Sequence, residues 1–368
     1  MKVIGVNSGT SIDSLDIGFF KISKNNIKFI CGQDFKYPNI LSNQIRSLGP
    51  NSTILNVDNI SIKLGEFVGR KINIFLKSNN INAELIGMHG QTIHHANDIK
   101  STTTIQITEA DSVALLTGLN VAHDFRKKDV VCGGTAAPFV PILDHILFKS
   151  IKRPFIAQNL GGIANTTLVH KSFNKTIGYD SGPANSLIDK VVYKYSDGKY
   201  LFDKNGEMAS KGKIYKPLLD KILSNNYFRR KPPKSTGNIE FGIQYVNDLI
   251  SYCKIKRLDV KDILATLTEV TVESISQSYE QFILKNNKVN KVILSGGGTK
   301  NGFLIERLKK RLPMIDFAIS DESGMPSRFK ECALFAYLAY LRINNIKIDL
   351  KNITGSKHKS ILGKISSG

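Results

Sequence analysis

Three glycine-bearing segments, a histidine-rich one and a few isolated acidic residues carry most of the side chains in this sequence that can do chemistry. Gly9-Thr10-Ser11-Ile12-Asp13-Ser14-Leu15-Asp16 concentrates hydroxyls, a glycine and two carboxylates. Glycine lets the main chain approach an anion, hydroxyls and N–H groups can surround its oxygens, and a carboxylate can hold Mg²⁺ or orient a sugar hydroxyl. The same residue types also make ordinary turns. Asn159-Leu160-Gly161-Gly162-Ile163-Ala164-Asn165-Thr166 and Leu294-Ser295-Gly296-Gly297-Gly298-Thr299-Lys300-Asn301 are the second and third such segments. Neither has the spacing of a P-loop or of a dinucleotide fingerprint. Their unobstructed backbone donors still suit phosphate or nucleoside contacts.

His89-Gly90-Gln91-Thr92-Ile93-His94-His95 suggests a metal site at first sight. Zinc on His89, His94 and His95 would want a Cys or acidic partner at suitable spacing, and H-E-x-x-H is missing, so polar recognition of a substrate is the preferred reading for His89 and Gln91. In Asp124-Phe125-Arg126-Lys127-Lys128-Asp129, Arg126 offers a planar donor fork that suits a carboxylate or phosphate, with surface ion pairing as the alternative. Asp180, in Tyr179-Asp180-Ser181-Gly182-Pro183, is either a carboxylate aimed into a cleft or a helix N-cap. The cysteines at 31, 132, 253 and 332 form no C-x-x-C pair or Cys/His cluster, which fits a reducing compartment without a disulfide framework or zinc site.

These segments need elements to hold them. A strand over Val3 to Val6, a polar loop from Asn7 to Ser14 and a strand from Leu15 to Ile22 form an opening hairpin. Ile62, Phe67, Val68, Ile72 and Phe75 recur at helical spacing between Ser61 and Lys77, and a buried strand follows over Ala83 to Met88 with the histidine segment as a loop at its end. The pattern returns with strands Phe155 to Ala157 and Thr166 to Val169 flanking a Gly loop, and a helix from Ala184 to Tyr195. A long helix from about Asp259 to Lys285, a strand over Lys291 to Leu294 and a helix from Asn301 to Arg311 complete it. Glycine turns at strand ends are where open α/β sheets bind ligands. The class is α/β with two related lobes.

A length of 368 residues predicts two domains, and 41% hydrophobic with 22% charged residues describes a packed globular chain. Apolar runs such as Ile263 to Leu267 or Ala333 to Tyr340 fall far short of the ~20 residues of a membrane span. Met1-Lys2-Val3-Ile4-Gly5-Val6-Asn7 lacks a signal peptide's apolar stretch, so cytoplasm is expected. The formal charge of +20 is spread along the whole sequence, and its densest blocks, Phe228 to Lys231 and Lys309 to Arg311, lack the interleaved aromatics of a base-stacking platform. Neither nucleic acid nor a membrane is expected as a partner.

Taken together the segments resemble the anhydro-N-acetylmuramic acid kinase family, of the superfamily that includes sugar kinases, actin and heat-shock chaperone ATPases. The likeness runs in order through Gly9 to Asp13, His89 to Thr92, Asp124 to Arg126, Asn159 to Asn165 and Asp180 to Pro183. It continues through Pro232-Pro233-Lys234-Ser235-Thr236-Gly237, Ala265 to Glu269, the triple glycine, Glu331 to Ala336 and Asn352 to Gly355. It implies two actin-like, ribonuclease H-like lobes around a central ATP cleft: an N-terminal lobe over 1–123, a C-terminal lobe over 124–345, and a segment over 346–368 returning to the first. The reaction implied is an ATP-dependent one in which water opens the 1,6-anhydro ring and the freed O6 takes the γ-phosphoryl, giving N-acetylmuramate 6-phosphate in cell-wall recycling.

On this resemblance Asp180 is the base that deprotonates the water, and Glu331 is the second catalytic acid facing the sugar. Gly9, Thr10, Ser11, Ile12, Asp13, Ser14, Leu15 and Asp16, with Gly161, Gly162, Asn165, Gly296, Gly297 and Gly298, surround ATP and Mg²⁺. Ser11, Asp13, His89, Gln91 and Arg126 contact the sugar, the Mg²⁺ ligands stay unassigned, and the family suggests a homodimer. The chain departs from the family pattern at Ser14, Thr135-Ala136, Ala184 and Asn238-Ile239. A conventional amino-sugar kinase of the same fold and a catalytically silent sugar binder are the alternatives.

Overall fold

The apolar run that opens the chain becomes strand β1 (Lys2–Ser8), which folds back as β2 (Ser14–Ser23) and again as β3 (Asn26–Lys36) in an antiparallel meander. β4 (Leu85–Met88) adds parallel to β1. β5 (Gln91–Asn97) and β6 (Thr102–Ile107) leave the sheet as a separate hairpin, and β7 (Val121–His123) returns parallel to β4. The chain's last strand, Lys364–Ser366, closes that edge antiparallel to β7. The computed structural model describes every residue except 10, 11, 50, 98–101, 149, 150, 237 and 321–324.

A second sheet repeats this logic. β8 (Phe155–Leu160), β9 (Ile163–Val169) and β10 (Ile177–Pro183) form the meander, β11 (Lys291–Ser295) runs parallel to β8, and β12 (Asp316–Ile319) runs parallel to β11. The order β10-β9-β8-β11-β12 reproduces β3-β2-β1-β4-β7 with the same strand directions. Two related α/β lobes are therefore present, as the alternation of strands and helices in the sequence predicts.

Contacts divide the chain into one unit of residues 1–149 with 323–368 and another of 150–322. These limits differ from 1–123, 124–345 and 346–368, because residues 124–149 and 323–345 fold with the first unit. For the second of these stretches the reason lies in two glycines. The helix Lys330–Ile343 rests directly on β1 and β4, where a Cβ on Gly5 would stand 1.9 Å from the Cys332 carbonyl oxygen and one on Gly87 2.2 Å from that of Phe335. Only bare backbone admits the helix that close.

The helix Ile54–Ser78 begins well before the periodic apolar residues because Thr53 caps it, its hydroxyl accepting from the Asn56 N–H at 3.2 Å. Ile60, Leu64, Val68, Ile72 and Phe75 form its buried face. In the second unit the helix Val260–Tyr279 is buried on nearly all sides, with Val272, Ile275 and Tyr279 in one core with Ile156 and Leu294. No helix among the described residues is long and apolar enough to cross a membrane.

Candidate active site

The first unit gathers polar side chains at the ends of β1 and β4. Asn7 is the penultimate residue of β1, and its Nδ2 donates to Glu331 Oε2 at 2.6 Å, the carboxylate being presented by the first turn of the helix that the two glycines seat. Glu331 stays open to solvent although protein surrounds it. Those surroundings raise its carboxyl above the ordinary range, against the Asn7 hydrogen bond and the Arg126 charge. Arg126 is half-buried, and desolvation holds its guanidinium down to about 10 while Glu331 pulls it up. Of the neighbouring carboxylates that could form a surface pair with Arg126, Asp124 bonds Lys364 at 2.8 Å instead.

The histidine segment is not a loop. From Gln91 onward it is strand β5, because Thr and Ile on β6 give it an antiparallel partner. His89 is buried and stacks on Phe335 with centroids 4.5 Å apart, and burial lowers it well below an ordinary histidine, with Arg126 adding to the effect. His95 is lowered to about 4 by burial first and then Arg126. His94 Nε2 lies 2.8 Å from Thr103 Oγ1. Among the described residues no group of three His, Cys, Asp or Glu side chains converges on a metal position. Gln91 is fully buried and accepts from the Ser8 hydroxyl, which itself accepts from Tyr37 OH at 2.8 Å.

Of the first glycine segment, Thr10 and Ser11 lie outside the described residues. Ile12 donates its N–H back to the Gly9 carbonyl at 3.1 Å, and Asp13 is exposed with Arg46 at 3.3 Å. Ser14, Leu15 and Asp16 belong to β2, with the Leu15 side chain in the core. Arg328 holds Asp16 Oδ1 and Ser14 Oγ at 2.9 Å each, so Ser14 gains a partner. Ala136 takes a φ of 60° and is secured by its N–H to Asp129 Oδ2 at 2.8 Å.

In the second unit the remaining segments meet. Gly161-Gly162 is the tight turn between β8 and β9, and its carbonyls accept the first N–H groups of the helix Asn185–Tyr195: Ala184 at 2.9 Å, Asn185 and Ser186 at 3.1 Å. Asp180 is therefore no cap. It sits in β10, 5% exposed, with Oδ1 accepting from Asn165 Nδ2 and Oδ2 from the Thr236 N–H at 2.9 Å. A relay of amides runs from Ser295 through Asn159 at 3.3 Å to Asn165 at 3.3 Å and so to Asp180, joining the strand before the triple glycine to the carboxylate. Burial raises Asp180 to about 6, with Thr236, Asn165 and the Lys234 charge opposing it.

Gly298 packs against Leu160, where a Cβ would come within 2.7 Å, whereas a Cβ on Gly297 would meet nothing within 4 Å. Gly297 faces a cavity of about 590 Å³ lined also by Ile188, Asp189, Phe202, Asn205 and Lys300. That volume falls in the ~300–1,000 Å³ range of small-molecule sites. Apart from its triple-glycine rim this cavity is not evident from the sequence, since Phe202 to Asn205, which run into the short 3-10 turn Lys204–Gly206, carry no motif. Lys234 and Tyr227, which contact Asp180, are equally hidden in spacing, although Lys234 lies in the segment Pro232 to Gly237. Gly237 itself is outside the described residues.

Comparison with known proteins gives one family. The family pattern described as Anhydro-N-acetylmuramic acid kinase matches residues 1–368. The anhydro-N-acetylmuramic acid kinase of Caldanaerobacter subterraneus subsp. tengcongensis is 36% identical, with 99% of this chain and 96% of that protein covered. Those of Sulfurovum sp. and Sulfurimonas denitrificans are 34% and 33% identical, covering 99% and 98% of this chain and 98% of each relative.

Proposed function

The chain belongs to the anhydro-N-acetylmuramic acid kinase family, and from that membership we infer an ATP-dependent kinase that opens 1,6-anhydro-N-acetylmuramic acid with water and phosphorylates O6. The product is N-acetylmuramate 6-phosphate, and the role is peptidoglycan recycling. The observation that carries the mechanism is Asp180, a buried carboxylate raised to about 6 and held at both oxygens by fixed donors. A base poised near the working pH accepts a proton readily once ionised and is not trapped by excess basicity.

In this reading Asp180 takes the proton of the water that attacks the anomeric carbon. As the C1–O6 bond breaks, the anomeric centre gains oxocarbenium character and O6 gains the charge that drives it toward phosphorus. Glu331, steadied by Asn7, faces the sugar, and its raised carboxyl suits hydrogen bonding to sugar oxygens. Arg126 receives an anionic group of the substrate, while neutral His89 and buried Gln91 contribute polar recognition. Ser11 and Asp13 are assigned to the same substrate.

ATP supplies the phosphoryl group. The bare face of Gly297 and its cavity fit a nucleoside, and Gly9 to Asp16, Gly161, Gly162, Asn165, Gly296 and Gly298 are assigned to the rest of the nucleotide. Mg²⁺ on a nucleotide is held mainly by phosphate and water oxygens, with one or two carboxylates at most, so it needs no preassembled acidic cage. A cytoplasmic homodimer completes the proposal.

A panel of 1,6-anhydrosugars with coupled ADP detection tests this. Turnover should require an anhydro sugar, and in ¹⁸O-water the label should enter at C1. Phosphorylation of ordinary N-acetyl sugars without label would favour a conventional amino-sugar kinase, and absence of ADP release with every sugar would refute catalysis.

A further inference from the structure

The second unit buries a lysine that the mechanism above does not use. Lys234 is 5% exposed, and its Nζ donates to the Tyr227 and Phe228 carbonyls at 3.2 and 3.3 Å. Three rings surround that ammonium, with centroids at 4.6 Å for Tyr227, 5.2 Å for Phe282 and 6.0 Å for Tyr179. Both of those hydrogen bonds end on main-chain oxygens rather than on a carboxylate. A buried charge held this way is expensive, and an apolar side chain would fill an aromatic cage as well.

The same residues wrap Asp180. Its N–H donates to the Lys234 carbonyl at 3.1 Å, its carbonyl accepts from Tyr227 OH at 2.6 Å, and its carboxylate accepts from the Thr236 N–H at 2.9 Å. By tying its ammonium to residues 227 and 228, Lys234 closes residues 227–236 into a ring of bonds around that one carboxylate. We propose that Lys234 is the positioning residue of the reaction: its caged ammonium fixes this ring and supplies the positive charge beside the base.

The other groups facing Asp180 do not supply that charge. Glu240 opposes its ionisation and is itself met by Arg230 at 3.2 Å and by the Thr236 hydroxyl at 3.1 Å. The Tyr179 and Tyr227 phenols are raised by burial above their ordinary range and stay neutral, and Asn165 is an uncharged donor. Lys234 itself, lowered to about 8 by burial against the pull of Asp180, is protonated at neutral pH.

The inference rests on Asp180 being the base, and the test separates the two claims. kcat/KM for 1,6-anhydro-N-acetylmuramic acid is measured from pH 5 to 9 for the wild type, Lys234→Met and Asp180→Asn, with circular dichroism as a check on folding. Methionine fills the aromatic cage without the charge. Loss of a nearby opposite charge raises a carboxyl by about 1 to 3 pH units, so the acid limb of Lys234→Met should move up by at least about one pH unit. Loss of the two Nζ bonds that fix the ring also lowers the variant's plateau rate, by less than the ~10²- to 10⁴-fold loss of a missing base.

An acid limb that does not move, whatever the plateau rate, would overturn the role given to Lys234. Should Asp180→Asn remain active, the base assignment itself fails. If Lys234→Met does not fold, the wild-type acid limb is compared at 0.05 and 0.5 M KCl. A caged counter-charge is shielded from salt, so the limb should hold within about 0.2 pH, and a movement beyond about 0.5 pH would place the counter-charge at the surface and refute the proposal.

Discussion

Replacing Asp180 by Asn should make the protein slower and, above pH 6, no less stable. Burial raises this carboxyl from 3.8 to about 6. Because the folded state then binds the proton more tightly than the unfolded one, ionising Asp180 costs stability as pH rises between those values. Fully expressed, the cost is ~3 kcal/mol, since each tenfold weakening of the acid corresponds to ~1.36 kcal/mol. Asparagine removes that cost. It also keeps only one acceptor for two fixed donors, Asn165 Nδ2 and the Thr236 N–H, and one unsatisfied buried donor costs ~1–3 kcal/mol. The donor loss is much the same at any pH, whereas the ionisation cost is ~1 kcal/mol at pH 4.5 and ~3 at pH 7.5 by linkage. Urea unfolding of both proteins at these two pH values isolates the difference. The variant's stability relative to wild type should improve by ~2 kcal/mol from pH 4.5 to 7.5. A pH-independent difference would mean that the Asp180 carboxylate is solvated in the folded protein, and the poised-base argument would fall with it.

Two glycines should respond in opposite ways. Gly5→Ala drives a methyl into the Cys332 carbonyl, displaces the helix that carries Glu331 and should cost ~3 kcal/mol together with activity, read from melting and turnover. Gly297→Ala meets nothing, so stability should stay within ~0.5 kcal/mol while the KM for ATP rises; an unchanged KM would remove Gly297 from the nucleotide site. Arg126→Gln should weaken anhydro-N-acetylmuramic acid at every ionic strength without altering the salt slope of kcat/KM, since this half-buried group acts at short range beside Glu331. A flattened slope would show it steering ligands from a distance.

How much of this is legible in the sequence depends on how locally each feature is encoded. The strands and the long helices follow from apolar spacing, which neighbouring residues supply among themselves. That Gly161-Gly162 forms a strand turn is also readable, because two adjacent glycines between β-forming runs leave little else. The histidine segment reads as a loop and folds as a strand because its strand character comes from β6, a partner that sequence spacing does not announce. The division of the chain escapes the sequence for a related reason. Helix Lys330–Ile343 belongs to the first unit through Gly5 and Gly87, more than 200 residues away, and a glycine in a strand reads locally as a weak strand residue, not as a seat for a helix.

The candidate site shows the same limit in its electrostatics. From its neighbours alone Asp180 reads more readily as a cap than as a base, and what separates the two is tertiary: the helix beside it takes its capping bonds from the Gly161 and Gly162 carbonyls, leaving the carboxylate to Asn165 and Thr236. Arg126 looks like one cation in a basic stretch of a +20 chain. Its character comes from tertiary surroundings: desolvation lowers its guanidinium, and Glu331, 205 positions along, opposes that. Total charge acts on approaching ligands through solvent and is screened within ~10 Å at 0.1 M salt, while a half-buried Arg beside a carboxylate acts by geometry over one contact. The excess lysine and the arginine proposed to receive the substrate are therefore separate devices, and an argument from net charge reaches the first and not the second.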